Sequence, residues 1–181
     1  FSFKKYTILR LNPMCGIFGY VGEKQAVPIL LEGLRTLEYR GYDSAGLYIP
    51  HWGAIKAAGP VDNLTAMIKE EVTGNSGISH TRWATHGAPT KTNAHPHHDS
   101  AGQIWLVHNG IIENYLELKE DLKTQGHSFE SDTDTEVLAK LIGSLYVNNL
   151  REAVNRALGL VRGTYGLAVM SEANLEEIVV A

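Results

Sequence analysis

Apolar positions along the chain alternate between a short-run pattern and a helical one, and the changes mark out its elements. Ile17 to Val21 is a brief apolar run between Gly16 and Gly22, which predicts a buried strand. Val27, Leu30, Leu31, Leu34 and Leu37 then recur at helical spacing, with Pro28 acceptable only in a first turn and Gly41 as the stop. Ala45 to Ile49 reads as a second strand. Beyond a loop around Gly53, the spacing of Leu64, Met67, Ile68 and Val72 predicts a second helix capped by Asp62 or Asn63. Gly77 to Trp83 and Gln103 to His108 have strand character. Between them, Thr85 to Gly102 is polar, holds Pro89 and Pro96, and is too long for a plain turn, so it is a candidate functional loop.

Helices dominate the next stretch. Leu116, Leu118 and Leu122 predict one that ends near Gly126, and Thr133 with Glu136 forms a capping-box pattern opening another, whose buried face is Val137, Leu138, Leu141, Ile142 and Leu145. Leu150, Val154, Leu158 and Val161 mark a third, followed by a strand at Gly166 to Met170 and an apolar strand-like run, Ile178 to Ala181. Strands and helices grouped in blocks argue for a layered α+β fold rather than alternating βαβ units. A chain that stops within a strand-like run is expected to be C-terminally incomplete.

Composition narrows the class. At 181 residues, 44% apolar and 20% charged, the chain suits a single globular domain. A net charge of −4 with interspersed signs offers no basic stripe, so nucleic acid is not an expected partner, and no apolar run reaches membrane-spanning length. One cysteine excludes an intramolecular disulfide and fits a reducing, cytoplasmic setting. Residues 1–14 read unlike the rest: Lys4 and Lys5 could open a signal peptide, but Arg10 and Asn12 interrupt any apolar core. They are expected to be a leader plus an initiator methionine, Met14, ahead of a domain over 15–181.

That boundary gives Cys15 its interest. As a first residue it would join a thiol to a free α-amine, a nucleophile with its own base; otherwise it is a small buried hydrophobe in a first strand. Four more clusters could carry chemistry: Arg40 to Gly46, His80 to Gly87, His108-Asn109-Gly110 and Ser131 to Asp134. Each has a plain alternative. Asn109-Gly110 is a good hairpin turn, Asp134 a first-turn helix acid, Arg82 a surface arginine. His80, His86, His95, His97, His98 and His108 match no common metal spacing, so no metal and no cofactor are expected.

Taken together, the clusters resemble one family. Cys15-Gly16-Ile17, the run Glu38 to Gly46, His80-Thr81-Arg82-Trp83-Ala84-Thr85-His86-Gly87, Asn93 to His97 and His108 to Asn114 stand in the order and spacing of the glutaminase domain of the glucosamine-6-phosphate synthases. This is the hexosamine branch of the class II glutamine amidotransferases, and the resemblance spans Met14 to Ala181. It implies the N-terminal-nucleophile hydrolase fold, a four-layer αββα sandwich with two antiparallel sheets.

The resemblance also implies roles. Cys15 would be the nucleophile and its α-amine the base; with a reference pKa of about 7.7–8.0, a fraction of that amine is unprotonated at neutral pH. The side-chain amide of Asn109 and the N–H of Gly110 would form the oxyanion hole. Arg82 would grip the α-carboxylate of L-glutamine and Asp134 its α-ammonium. Trp83, Thr85 and His86 would line the pocket, with Arg40 near the nucleophile. Ammonia would pass to fructose 6-phosphate on an isomerase domain that the sequence lacks. The competing expectation is a non-catalytic glutamine-binding or structural fragment, inactive because the leader blocks the Cys15 amine or the truncated sheet does not close.

Overall fold

A computed structural model describes residues 15–40, 43–83 and 88–181, with Arg40 described by its backbone alone. Gly16–Val21 forms β1 and Ala26–Leu37 forms α1, followed by a 3-10 turn over Glu38–Arg40. Pro28 falls in the first turn of α1, where its missing N–H costs nothing; Gly41, the expected stop, lies outside the described residues. Ser44–Ile49 (β2) and Gly53–Ala58 (β3) pair as a hairpin. Val61–Thr65 (α2) leads to Ser76–Arg82 (β4).

After the short His97–His98 (β5) come Ile104–Ile112 (β6), then Tyr115–Thr124 (α3), Asp134–Leu145 (α4) and Leu150–Leu158 (α5). Gly163–Ser171 (β7) and Asn174–Val180 (β8) follow. The strands make two antiparallel four-stranded sheets, ordered β1-β4-β2-β3 and β5-β6-β7-β8.

Burial divides the molecule into layers. Leu30 and Leu34 of α1 pack on Leu47 and Ile49 of the first sheet, with Val61 and Leu64 of α2 in the same cluster. Leu138, Ile142 and Val154 of α4 and α5 pack on Ile104, Leu106 and Val169 of the second sheet. Between the sheets lies a third cluster of Tyr48, Ile78, Val107, Ala168 and Met170, where Tyr48 stacks on Trp105 at 4.7 Å between ring centroids. The period of two explains the sorting: Leu47 and Ile49 face the helices while Tyr48 between them faces the opposite sheet. Strands covered on both faces are apolar on both, so β2 appears in sequence as a run without alternation. The result is the expected αββα sandwich of two antiparallel sheets.

Three expectations require correction. The second helix is only five residues long; beyond Thr65 the chain turns, Met67 is 44% exposed, and Val72 reaches the core from a turn closed by its N–H on the Lys69 carbonyl. The loop around Gly53 is in fact β3. Asn109-Gly110 does not reverse the chain: β6 runs on to Ile112, with Asn109 opposite Gly166 and Gly110 opposite Tyr165. Nine paired positions on β7 outweigh the local turn preference.

Helix ends follow the sequence more closely. Thr133 caps α4 by accepting the N–H of Glu136, and Asn149 caps α5 by accepting that of Glu152. The capping box is half formed. Glu136 reaches past Thr133 to accept the N–H groups of Glu130 and Ser131 and the Ser131 hydroxyl, while the Thr133 N–H donates to Ser131 Oγ.

Candidate active site

Cys15 stands at the entry to β1, where Gly16 pairs with Thr81 of β4. A side chain at Gly16 would meet Leu37 Cβ at 2.7 Å and Thr81 Oγ1 at 2.8 Å, so glycine is what lets α1 and β4 close around the thiol. The half-buried sulfur lies against one peptide unit. The Trp83 N–H donates to Cys15 Sγ at 3.1 Å, and the thiol donates to the Trp83 carbonyl at 3.5 Å. Burial pushes the thiol pKa up; the Trp83 hydrogen bond and the Arg82 charge pull against it and Asp43 adds to it, leaving the group above its ordinary value. A thiol held protonated needs a base.

Asn109 reaches this residue from the other sheet. Its Nδ2 donates to the Cys15 carbonyl at 3.0 Å, while its Oδ1 lies 2.8 Å from Nε2 of His80 on β4. One N–H of the amide is thereby used and the other remains to donate. Gly110 follows with φ +134°, and a Cβ there would stand 2.0 Å from the Thr164 carbonyl oxygen. Only glycine fits the backbone at that point.

Arg82 is not a surface residue. It is 4% exposed, and its Nη1 donates to the Ala88 carbonyl at 3.3 Å. Asn93 donates to the same carbonyl at 3.0 Å and to Asp132 Oδ2, and it accepts the Asp132 N–H. One buried asparagine therefore ties the segment after β4 to the turn before α4. Asp134, also buried, begins α4, where a carboxylate complements the helix dipole. Its Oδ2 accepts the Ile112 N–H at 2.8 Å, fixing it two residues along β6 from Gly110.

The structure thus brings Cys15, the Trp83 backbone and Asn109 into direct contact, with Gly110 and Arg82 next in the chain and Asp134 held to the same strand as Asn109. Trp83, just past the end of β4, is 45% exposed. Thr85 and His86 lie outside the described residues, as does the side chain of Arg40. In the sequence His80, His95 and Asn93 stand within the motif runs, and the two histidines also among the candidate metal ligands, but none of the three has a role of its own there; among the described residues no group of His, Cys, Asp or Glu is arranged to hold a metal ion. Asn93 and His80 left no local signal because their roles consist of contacts across the fold.

Two antiparallel sheets between helical layers, with a cysteine leading the first strand and an asparagine amide reaching it from the facing sheet, define the N-terminal-nucleophile hydrolase class. Solved structures agree. The glutamine phosphoribosylpyrophosphate amidotransferase from B. subtilis, complexed with ADP and GMP, superposes with a TM-score of 0.74 at 30% identity, covering 86% of this chain and 35% of that one. The allosteric regulatory enzyme of purine biosynthesis does so with a TM-score of 0.74 at 31% identity, over 86% and 35%.

The glutamine amidotransferase domain profile matches residues 80–181, and the chain belongs to that family. Among curated relatives, the glutamine–fructose-6-phosphate aminotransferases (isomerizing) of Caldanaerobacter subterraneus and Thermus thermophilus are 52% and 54% identical to it, each over 93% of this chain and 28% of the relative. That of Pyrococcus horikoshii is 49% identical over 93% and 29%. The chain spans less than a third of the length of these relatives. Among the described residues no helix is long and apolar enough to cross a membrane.

Proposed function

We propose that this domain hydrolyses the side-chain amide of L-glutamine, as the glutaminase part of a glutamine–fructose-6-phosphate aminotransferase. The observation that carries the reading is the meeting of Cys15 and the Asn109 amide across the two sheets, with Asn109 Nδ2 3.0 Å from the Cys15 carbonyl. Attack by Cys15 Sγ on the carboxamide carbon forms the S–C bond and moves the carbonyl electron pair onto oxygen, where the second Asn109 N–H and the Gly110 N–H receive it. The thiol proton passes to the α-amine of Cys15 and from there to the departing nitrogen, so ammonia leaves and a thioester remains. Water, deprotonated by the same amine, then releases glutamate and restores the thiol. The raised thiol pKa supports this route, since little thiolate forms unaided.

Arg82 would bind the substrate carboxylate and Asp134 its ammonium, with Trp83, Thr85 and His86 lining the pocket and Arg40 ordering the Cys15 terminus. The ammonia would serve fructose 6-phosphate bound on an isomerase domain of a longer protein, in a reducing, cytoplasmic compartment. No cofactor enters the scheme.

The reading requires the Cys15 nitrogen to be a free amine, since an amide is no base. Glutamate release measured on protein that begins at Cys15, as verified by intact mass, should be abolished by Cys15→Ala and by acetylation of the amine. Equal turnover by Cys15→Ala would overturn the assignment.

A further inference from the structure

Four residues close a ring behind the Asn109 amide. The His108 N–H donates to His95 Nδ1 at 3.3 Å; the His95 ring stacks on that of His80 with centroids 4.2 Å apart; His80 Nε2 lies 2.8 Å from Asn109 Oδ1; and Asn109 is bonded to His108. All three histidines are buried, His80 completely.

The ring fixes protonation by geometry alone. A backbone carbonyl only accepts, so the amide group facing the Cys15 carbonyl must be the NH2, and Asn109 must turn its oxygen toward His80. An oxygen accepts, so His80 must carry its proton on Nε2. By the same reasoning His95, which accepts the His108 N–H on Nδ1, is neutral with its proton on Nε2.

We infer that His80 is a positioning residue for the oxyanion hole: as a neutral Nε2–H donor it locks the Asn109 side chain with its NH2 toward the nucleophile. Without that donor the amide can turn over and present oxygen to the developing oxyanion, replacing attraction by repulsion. His95 holds the His80 ring in plane by stacking, and the β6 backbone holds His95. Burial disfavours the charged form of both rings, and His80 is pulled down to a pKa of about 3, the Asn109 bond only partly offsetting the desolvation, so the ring stays neutral across the physiological range. This role rests on the glutaminase reading above.

The test compares His80→Leu, which removes the donor, with His80→Gln, whose side-chain amide can donate in its place. His80→Leu should lower kcat for glutamine about 10- to 100-fold with KM little changed, less than the 10²–10³ typical of deleting an oxyanion donor outright, and His80→Gln should recover much of it. Binding of glutamate γ-semialdehyde, which adds the Cys15 thiol to form a tetrahedral adduct, should weaken by a similar factor. Alkylation of Cys15 by iodoacetamide, which develops no oxyanion, should keep its wild-type rate. A His80→Leu kcat within about twofold of wild type, equal impairment of both variants, or a parallel loss of alkylation would each overturn the proposal. If His80→Leu does not fold, nitrogen-15 shifts of the wild-type imidazole still decide: an Nδ1–H tautomer at His80 refutes the ring. That measurement stands even if the wild type releases no glutamate, which would sink the glutaminase reading alone.

Discussion

Cys15 and Trp83 are joined through the backbone of the tryptophan: its N–H reaches Cys15 Sγ at 3.1 Å and its carbonyl accepts the thiol at 3.5 Å. The indole contributes nothing to this contact and is 45% exposed. Trp83→Ala should therefore leave Cys15 alkylation by a neutral electrophile within about threefold of wild type and cost under about 1 kcal/mol of stability. If the indole lines the glutamine pocket, the same variant raises KM. A tenfold change in alkylation would show that the side chain, rather than the peptide unit, sets the environment of the thiol.

Gly110 offers a sharper case, because two independent restrictions coincide. Its φ of +134° is closed to residues with a Cβ, and that Cβ would fall 2.0 Å from the Thr164 carbonyl oxygen across the β6–β7 ladder. Gly110→Ala should destabilise the fold by about 2–4 kcal/mol, read as a lower denaturation midpoint, with loss of glutamate release in whatever folds. Gly102, with φ +68° and open space around its Cβ position, serves as a control: alanine there carries only the backbone strain.

Gly110 also shows where sequence reading reached and where it stopped. Asn109-Gly110 resembles a hairpin turn because turn preferences are local, whereas the residue's actual place is set by pairing with β7, more than fifty positions away. The same limit hid β3: Gly53–Ala58 is half-buried, and its small residues give no alternation. It also lengthened α2, since Leu64, Met67, Ile68 and Val72 are spaced as a helix would be although the chain turns after Thr65. By contrast α1, α4 and α5 were legible from their apolar stripes, and α4 also from its cap, because a helix satisfies its hydrogen bonds within its own segment. At the site, the motif residues were legible as a resemblance, but the contacts of His80 and Asn93 exist only once the sheets face each other.

Glu136 joins stability to the site. It pairs with Lys140 at 3.4 Å, both side chains 6% exposed, and accepts the Ser131 N–H at 2.6 Å and hydroxyl at 2.7 Å, holding the turn that leads to Asp134. Burial alone would raise its pKa; hydrogen bonds from Glu130 and Ser131 and the Lys140 charge outweigh it, leaving the carboxyl below its ordinary value. Glu136→Ala strands a buried lysine and three donors, the N–H groups of Glu130 and Ser131 and the Ser131 hydroxyl, and should cost about 3–5 kcal/mol. Glu136→Gln, which keeps acceptor oxygen but loses the charge, should cost less. Comparable losses for the two, measured by denaturant unfolding, would mean that charge rather than hydrogen bonding dominates here.

The buried histidines set the acid limit of the fold. Burial, the largest cause in each, pulls His80 down to about 3 and holds His95 and His97 well below 6.5. In the unfolded chain each takes up a proton near its ordinary pKa of about 6.5, whereas the folded protein does not, so the unfolded state binds more protons below that point. Their stabilising contribution is thus complete above about pH 6.5 and is lost progressively as pH falls toward the depressed folded values, by at most about 1.4 kcal/mol per pH unit for each group. Carboxylates titrate mainly below about pH 5, which leaves the interval from about 6.5 to 5 to the histidines. Denaturant midpoints should drop steadily across that interval, and a variant replacing His97 by a neutral residue should drop less steeply, even if its midpoint at neutral pH suffers from losing the 3.0 Å contact between His97 Nε2 and Thr133 Oγ1. A midpoint that stays level from about pH 7 to 5 would show these rings protonated in the fold, and with them the neutral donor assigned to His80 would fall.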